Sequence, residues 1–293
     1  MSSGAGGWVN GIMLLMCGFV TILAAALPVL DFATNSIARR IESCDPAVCL
    51  ARFADYPPSK GKLGFPRCLF ENPFPANPHF YLRDVDFSCA SPWNDSTGTL
   101  RAGTLISKRH IIFAKHFPLW KGVRILFVGD DGGVCPCNVE ATMGLDHCDI
   151  MIASLNAEVT PNVHPAKILP ADYRKYLGDG KGLPCVTLNQ NECALLTEMR
   201  SIVTHGFGLT TMSFEPSDAH RRRFRRPIVV GDSGSPAFLL IGNELILLHC
   251  CHQGGCGSGP AVHLYAKEIQ KAMDELCPGY KLETFDFAAL ERK

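Results

Sequence analysis

From Thr99 onward the chain alternates short apolar runs with turn-forming residues. GTLIS, HIIFA, VRILFVG, DIMIASL, IVTHGFG, PAFLLIG and ELILLHCC each have the length of a strand, and Gly, Pro, Asp and Asn divide them. β-Branched and aromatic side chains suit a pleated, half-buried surface, so these runs predict strands. Many short strands with frequent turns point to a barrel or a sandwich. Residues 266–276 (AKEIQKAMDEL) break the pattern, because Ile269, Ala272, Met273 and Leu276 recur at helical spacing and Pro278-Gly279 follows as a stop. The expectation is an all-β domain closed by one amphipathic helix.

The part before this domain has a different texture. Residues 31–97 are rich in Pro and Cys, as in CDPAVC, YPPSKGKLGFPRC and ENPFPANPHF, and show no sustained period, which predicts an irregular, cross-linked segment. Gly11 to Leu30 carries no charge and is long enough as a helix to cross a bilayer, so residues 1–30 read as a signal peptide or a membrane anchor. Ala24, Ala25 and Ala26 suit a signal peptidase, whereas Arg39 and Arg40 on the C-terminal flank oppose export.

Charge narrows the partners. Lysine plus arginine number 28 and aspartate plus glutamate 28, so no overall field draws in nucleic acid, and the basic run Arg221 to Arg226 reads as a solvated loop. Of 14 cysteines, all but Cys17 lie outside the apolar run. That density predicts several disulfides of unassigned pairing and a secreted or membrane-anchored protein facing an oxidising compartment. His249-Cys250-Cys251-His252 and Cys135-x-Cys137 carry metal-binding residue types, but their spacing does not suit structural zinc, so no metal and no cofactor is expected.

Candidate chemistry centres on Gly231-Asp232-Ser233-Gly234-Ser235-Pro236. An acyl-transfer nucleophile needs a hydroxyl exposed on a sharp turn, and flanking glycines allow that turn. The same turn would aim the N–H groups of Gly231 and Ser233 at one point, as an oxyanion hole. A serine hydroxyl also needs a base. His116 ends a predicted strand where a loop begins, whereas His110 starts that strand, so His116 is preferred. Asp149 heads the apolar strand 150–155, where a carboxylate can be buried against an imidazole and fix its tautomer.

FAKH at 113–116 after GTLIS, then DIMIASL, then GDSGSP resembles the ordered His, Asp and Ser signatures of the trypsin/chymotrypsin family, over about residues 98–277. The resemblance implies two antiparallel six-stranded β-barrels with a C-terminal α-helix: barrel 1 over about 98–165, barrel 2 over about 175–264, the helix over about 265–277, within a domain at 98–280 followed by a tail at 281–293. It further implies a serine endopeptidase acting on a peptide or protein substrate through His116, Asp149 and Ser233.

By the same alignment Pro227, Gly254 and Ala261 would form the specificity pocket, with His252 or Gln253 on the adjoining strand. Lacking a carboxylate at its base, such a pocket would favour small or medium apolar residues over Lys or Arg. Phe117 and Val229 replace cysteines common in the family. No basic residue followed by an Ile-Val-Gly-Gly start lies near residue 80, so Asp232 is expected to be satisfied by an internal group or to face solvent, without a freed N-terminus. The alternative reading is a catalytically inactive protease-like binding domain; a membrane-anchored structural ectodomain is a third, resting on residues 1–98 alone.

Overall fold

A computed structural model describes residues 31–54, 75–91, 101–205 and 208–290. The apolar run at 11–30 lies outside them, and among the described residues no helix is long and apolar enough to cross a membrane. The fold is mostly β, with few and mostly short helices, and its strands form two sheets.

The first sheet holds six strands: β1 (Ala90–Ser91), β2 (Gly103–Ser107), β3 (His110–Ala114), β4 (Arg124–Val128), β5 (Val134–Gly144) and β6 (Ile150–Leu155). Their order is β1-β2-β3-β6-β5-β4, all pairs are antiparallel, and the end strands β1 and β4 meet, which nearly closes the sheet into a barrel. The second sheet has seven strands rather than six: β7 (Lys167–Ile168), β8 (Pro184–Leu188), β9 (Ala194–His205), β10 (Gly208–Phe214), β11 (Pro236–Ile241), β12 (Glu244–Cys250) and β13 (Ser258–Pro260). The order is β13-β10-β9-β8-β11-β12-β7, and the seventh member, β7, is a two-residue strand added parallel to β12.

Strands β2, β3 and β11, which read as apolar runs, are buried along their whole length, and so is β8, which does not read as one. β5 instead alternates: Cys135, Cys137 and Val139 point inward, and Pro136, Asn138 and Glu140 outward. IVTHGFG, read as one strand, spans the β9–β10 hairpin. One continuous core runs from Ile112 and Phe127 of the first sheet to Phe238 and Leu247 of the second, and each such side chain, fully buried, stabilises the fold by roughly 1.5–3 kcal/mol. The C-terminal helix (Ala266–Leu276) lays Ile269, Ala272 and Met273 against β5 and β6.

Two segments expected at the margins are part of this core. In the N-terminal segment a helix over 31–41 (α1) buries Ala33, Ile37 and Ile41, and a second, α2 (Pro46–Cys49), is capped by Asp45. Downstream, Tyr81 packs edge-on against Phe224 and Phe87 against Phe238 of the second half, and Phe80 packs against both Tyr81 and Phe87. In the tail, Thr284 bridges Ile168, and Phe285 and Phe287 are buried.

The cross-linking expected from cysteine content needs correction. All twelve described cysteines are free; Cys17 and Cys68 lie outside the described residues. The reason is placement: most point singly into apolar surroundings, and Cys135 and Cys137 share one face of β5 with their Sγ atoms 4.0 Å apart. Burial pushes the Cys185 and Cys250 thiols up to about 12, so they act as small, neutral core residues.

Candidate active site

Strand register brings His116 and Asp149 together. β3 and β6 pair antiparallel with Ala114 opposite Ile150, so the residues just beyond β3 and just before β6 leave the sheet side by side. The Lys115 N–H donates to the Asp149 carbonyl at 3.3 Å, and the His116 N–H donates to Asp149 Oδ1 at 2.8 Å. His116 Nδ1 lies 2.6 Å from Asp149 Oδ2. A carboxylate only accepts, so Nδ1 carries the proton and Nε2 is left as an acceptor.

Ser233 comes from the turn before β11. The Asp232 N–H donates to the Val229 carbonyl and the Ser235 N–H to the Asp232 carbonyl, and Gly234 and Cys251 tie the turn to the end of β12. Gly234 has φ +87 and packs so tightly on the first sheet that a Cβ there would come within 3.0 Å of the Ala102 carbonyl oxygen. Only glycine allows both the left-handed backbone and this approach. The approach sets Ser233 Oγ 2.9 Å from His116 Nε2, completing a Ser–His–Asp relay across the two sheets.

Gly231 has φ +104. Among the described residues, neither its N–H nor that of Ser233 donates to a protein acceptor, while the N–H groups of Asp232, Gly234 and Ser235 are all engaged. Two free donors flanking a nucleophile can receive developing negative charge on a carbonyl oxygen. Asp232 is buried and accepts from the backbone N–H of Val229 at 2.9 Å and of Gln190 at 3.3 Å. Burial raises its pKa, and these bonds counter the rise. Its partners are therefore internal N–H groups, and the basic run plays no part: Arg221 pairs with Glu198, and Arg222 binds the carbonyls of Pro216 and Ser217.

Comparison with family models finds no match, and comparison with curated proteins finds none.

Beside Ser233 lies a cavity of about 450 Å³ lined by Ile228, Val229, Val230, Ser233, Cys251, His252, Gln253 and Gly254. Of the residues expected to form the pocket, His252, Gln253 and Gly254 line it. Pro227 and Ala261 do not: Pro227 is exposed, and Ala261 is buried after β13. The cause is a backbone bridge between Ile228 and Gly255, which pins residue 228, not 227, against the 252–254 wall. Val229, Val230 and Cys251 line the cavity without having been assigned to it from the sequence, although an exposed Val-Val pair directly before the Gly-Asp-Ser-Gly turn is an unusual enough surface to flag. His252 also serves the triad side, with Nδ1 3.8 Å from Asp149 Oδ2. Gln190 was missed entirely, because nothing local to it announces contact with Asp232. Among the described residues, no three His, Cys, Asp or Glu side chains converge as a metal site.

Away from the site, burial pushes the imidazoles of His110 and His263 down to about 4 and His249 to about 3. These depressed values mean that the unfolded chain binds the extra protons, so their contribution to stability is complete above pH 6.5 and is lost as pH falls toward 4. Glu192, raised to about 7 by burial, works the other way between pH 4.5 and 7 and offsets one of the three histidines. The urea midpoint is therefore expected to drop steeply between pH 6.5 and 4, by the equivalent of about 1.4 kcal/mol per pH unit for each net proton. A flat midpoint over that range would contradict the neutral burial of these imidazoles.

Proposed function

We propose that the chain is a serine endopeptidase with a chymotrypsin-like, two-barrel arrangement and that Ser233, His116 and Asp149 are its catalytic residues. The observation that carries this reading is the unbroken series from Ser233 Oγ to His116 Nε2 at 2.9 Å and from His116 Nδ1 to Asp149 Oδ2 at 2.6 Å. In this reading Ser233 Oγ attacks the substrate carbonyl carbon while Nε2 takes its proton. The carbonyl oxygen, now negative, is met by the N–H groups of Gly231 and Ser233. Nε2 then gives the proton to the leaving amine, and an acyl ester remains on Ser233. Water repeats the sequence with the same imidazole as base and releases the acid. Asp149 stabilises the imidazolium and keeps its ring from turning.

The residue N-terminal to the cleaved bond would enter the cavity lined by Ile228, Val230, Cys251 and Gly254. Among the described residues no carboxylate lines it, so a Lys or Arg side chain would lose hydration without gaining a partner there. With a peptide library read by mass spectrometry, the chain is expected to cleave after Ala, Val, Leu or a polar residue of similar size, and Ser233→Ala is expected to cleave nothing. Dominant cleavage after Lys or Arg would contradict the pocket; no cleavage by the unmodified chain would contradict the function.

A further inference from the structure

We infer that residues 50–52 of the N-terminal segment hold the nucleophile turn in its working shape, with Arg52 as a positioning residue. The inference rests on the peptidase reading for its catalytic consequence but on geometry alone for its structural one.

The route begins at Asp232, whose carboxylate is held by the N–H of Gln190 in the loop between β8 and β9. The same glutamine lies under the oxyanion turn: a Cβ at Gly231 would come within 2.8 Å of Gln190 Nε2. Where the loop sits therefore decides where the N–H groups of Gly231 and Ser233 point.

The loop is not a relaxed turn. Asn189 Oδ1 accepts from the N–H groups of Asn191 and Cys193, and Glu192 takes a left-handed backbone at φ +54, which a non-glycine residue adopts only when its surroundings force it. The forcing comes from the N-terminal segment. Arg52 N–H donates to the Glu192 carbonyl at 2.8 Å, Ala51 bridges Cys193, and Ala194 N–H donates to the Leu50 carbonyl at 2.9 Å. The Glu192 side chain is wholly buried, and its Oε2 lies 3.3 Å from Arg52 Nη1. Arg52 in turn donates to the carbonyls of Phe87 and of Val128 on β4. One guanidinium thus ties the first sheet and residue 87 to the loop whose Gln190 N–H holds the Asp232 carboxylate.

A buried ion pair is a poor source of stability, since apolar residues of the same volume often do as well. Its specific product is registry, and here the group kept in register is the oxyanion turn. Without Arg52, the wholly buried Glu192 Oε2 loses its donor, the loop shifts to relieve it, and Asp232 loses the Gln190 N–H.

The test uses the full chain carrying Arg52→Met, which keeps volume and removes charge, with hydrogen exchange read over residues 229–235 beside steady-state kinetics. Protection of 229–235 is expected to fall about 10-fold or more while β11 and β12 keep theirs. The expected kinetic signature is a fall in kcat of about 10- to 100-fold with KM changed less than about 3-fold, because the lost contact is made to the developing oxyanion. Glu192→Gln, which keeps shape and removes the other charge, is the second variant should the first not fold, and is expected to lower the same protection several-fold. Unchanged protection of 229–235 in a folded variant overturns the inference, as does a uniform loss across the molecule, which marks Arg52 as structural only. Because the exchange readout does not need turnover, an inactive wild-type chain would sink the peptidase reading without deciding this one.

Discussion

Replacing His116 by alanine is expected to lower kcat by about 10⁴- to 10⁶-fold and to leave the fold intact. The imidazole is half-exposed at the rim of the sheets, so its loss opens no cavity in the core. The catalytic loss is large because the members of such a relay act as one unit: without an acceptor at Nε2, Ser233 keeps its proton, and the free N–H groups of Gly231 and Ser233 have no anion to receive. His110→Ala is the paired control. His110 is fully buried, bonded to Ser107 and packed edge-on against Tyr280, so its removal should cost about 1–3 kcal/mol of stability and leave kcat within a few-fold. Circular dichroism melts and peptide turnover measured on both variants check the contrast, and the reverse pattern would move the base to His110.

Asp149→Asn is expected to cost about 10⁴-fold in kcat with little change in KM. Both carboxylate oxygens of Asp149 accept from His116, one from the backbone N–H and one from Nδ1. An asparagine has one oxygen to give. If it serves the backbone N–H, its NH₂ faces Nδ1 and drives the ring proton to Nε2, where it faces Ser233 instead of accepting from it. Substrate does not touch the carboxylate, so binding should be spared. Steady-state kinetics with one peptide ester decide the matter, and a loss confined to KM would show that Asp149 shapes the cleft instead of the tautomer.

These residues were legible because each sits where a local pattern changes. His116 and Asp149 follow and precede buried apolar strands, and Ser233 stands between glycines whose only use is a sharp turn and a close approach. Strands buried on both faces, β2, β3, β6, β11 and β12, were equally plain, as was the C-terminal helix with its helical stripe. β5 was not, since Pro136, Asn138 and Glu140 interrupt every apolar pair and a search for apolar runs passes over an alternating strand. β7 and β13 are two and three residues long and exist only through their neighbours. The pocket failed at Pro227 for a similar reason: whether residue 227 or 228 faces the cavity is set by the bridge to Gly255, a register that no local signal announces. Cysteine count misled about cross-links because it measures how many thiols exist, whereas a disulfide depends on where pairs of them meet.

Labelling of the intact chain by a fluorophosphonate probe, followed by peptide mapping, tests the central proposal most directly. A hydroxyl reacts with such a probe at a useful rate only when a base removes its proton and donors meet the phosphonyl oxygen, the two features drawn from His116 and from the turn at 231–233. One adduct per chain is expected, on Ser233, absent from Ser233→Ala and strongly reduced in His116→Ala. A chain that is folded and unlabelled, or labelled at another residue, would contradict it.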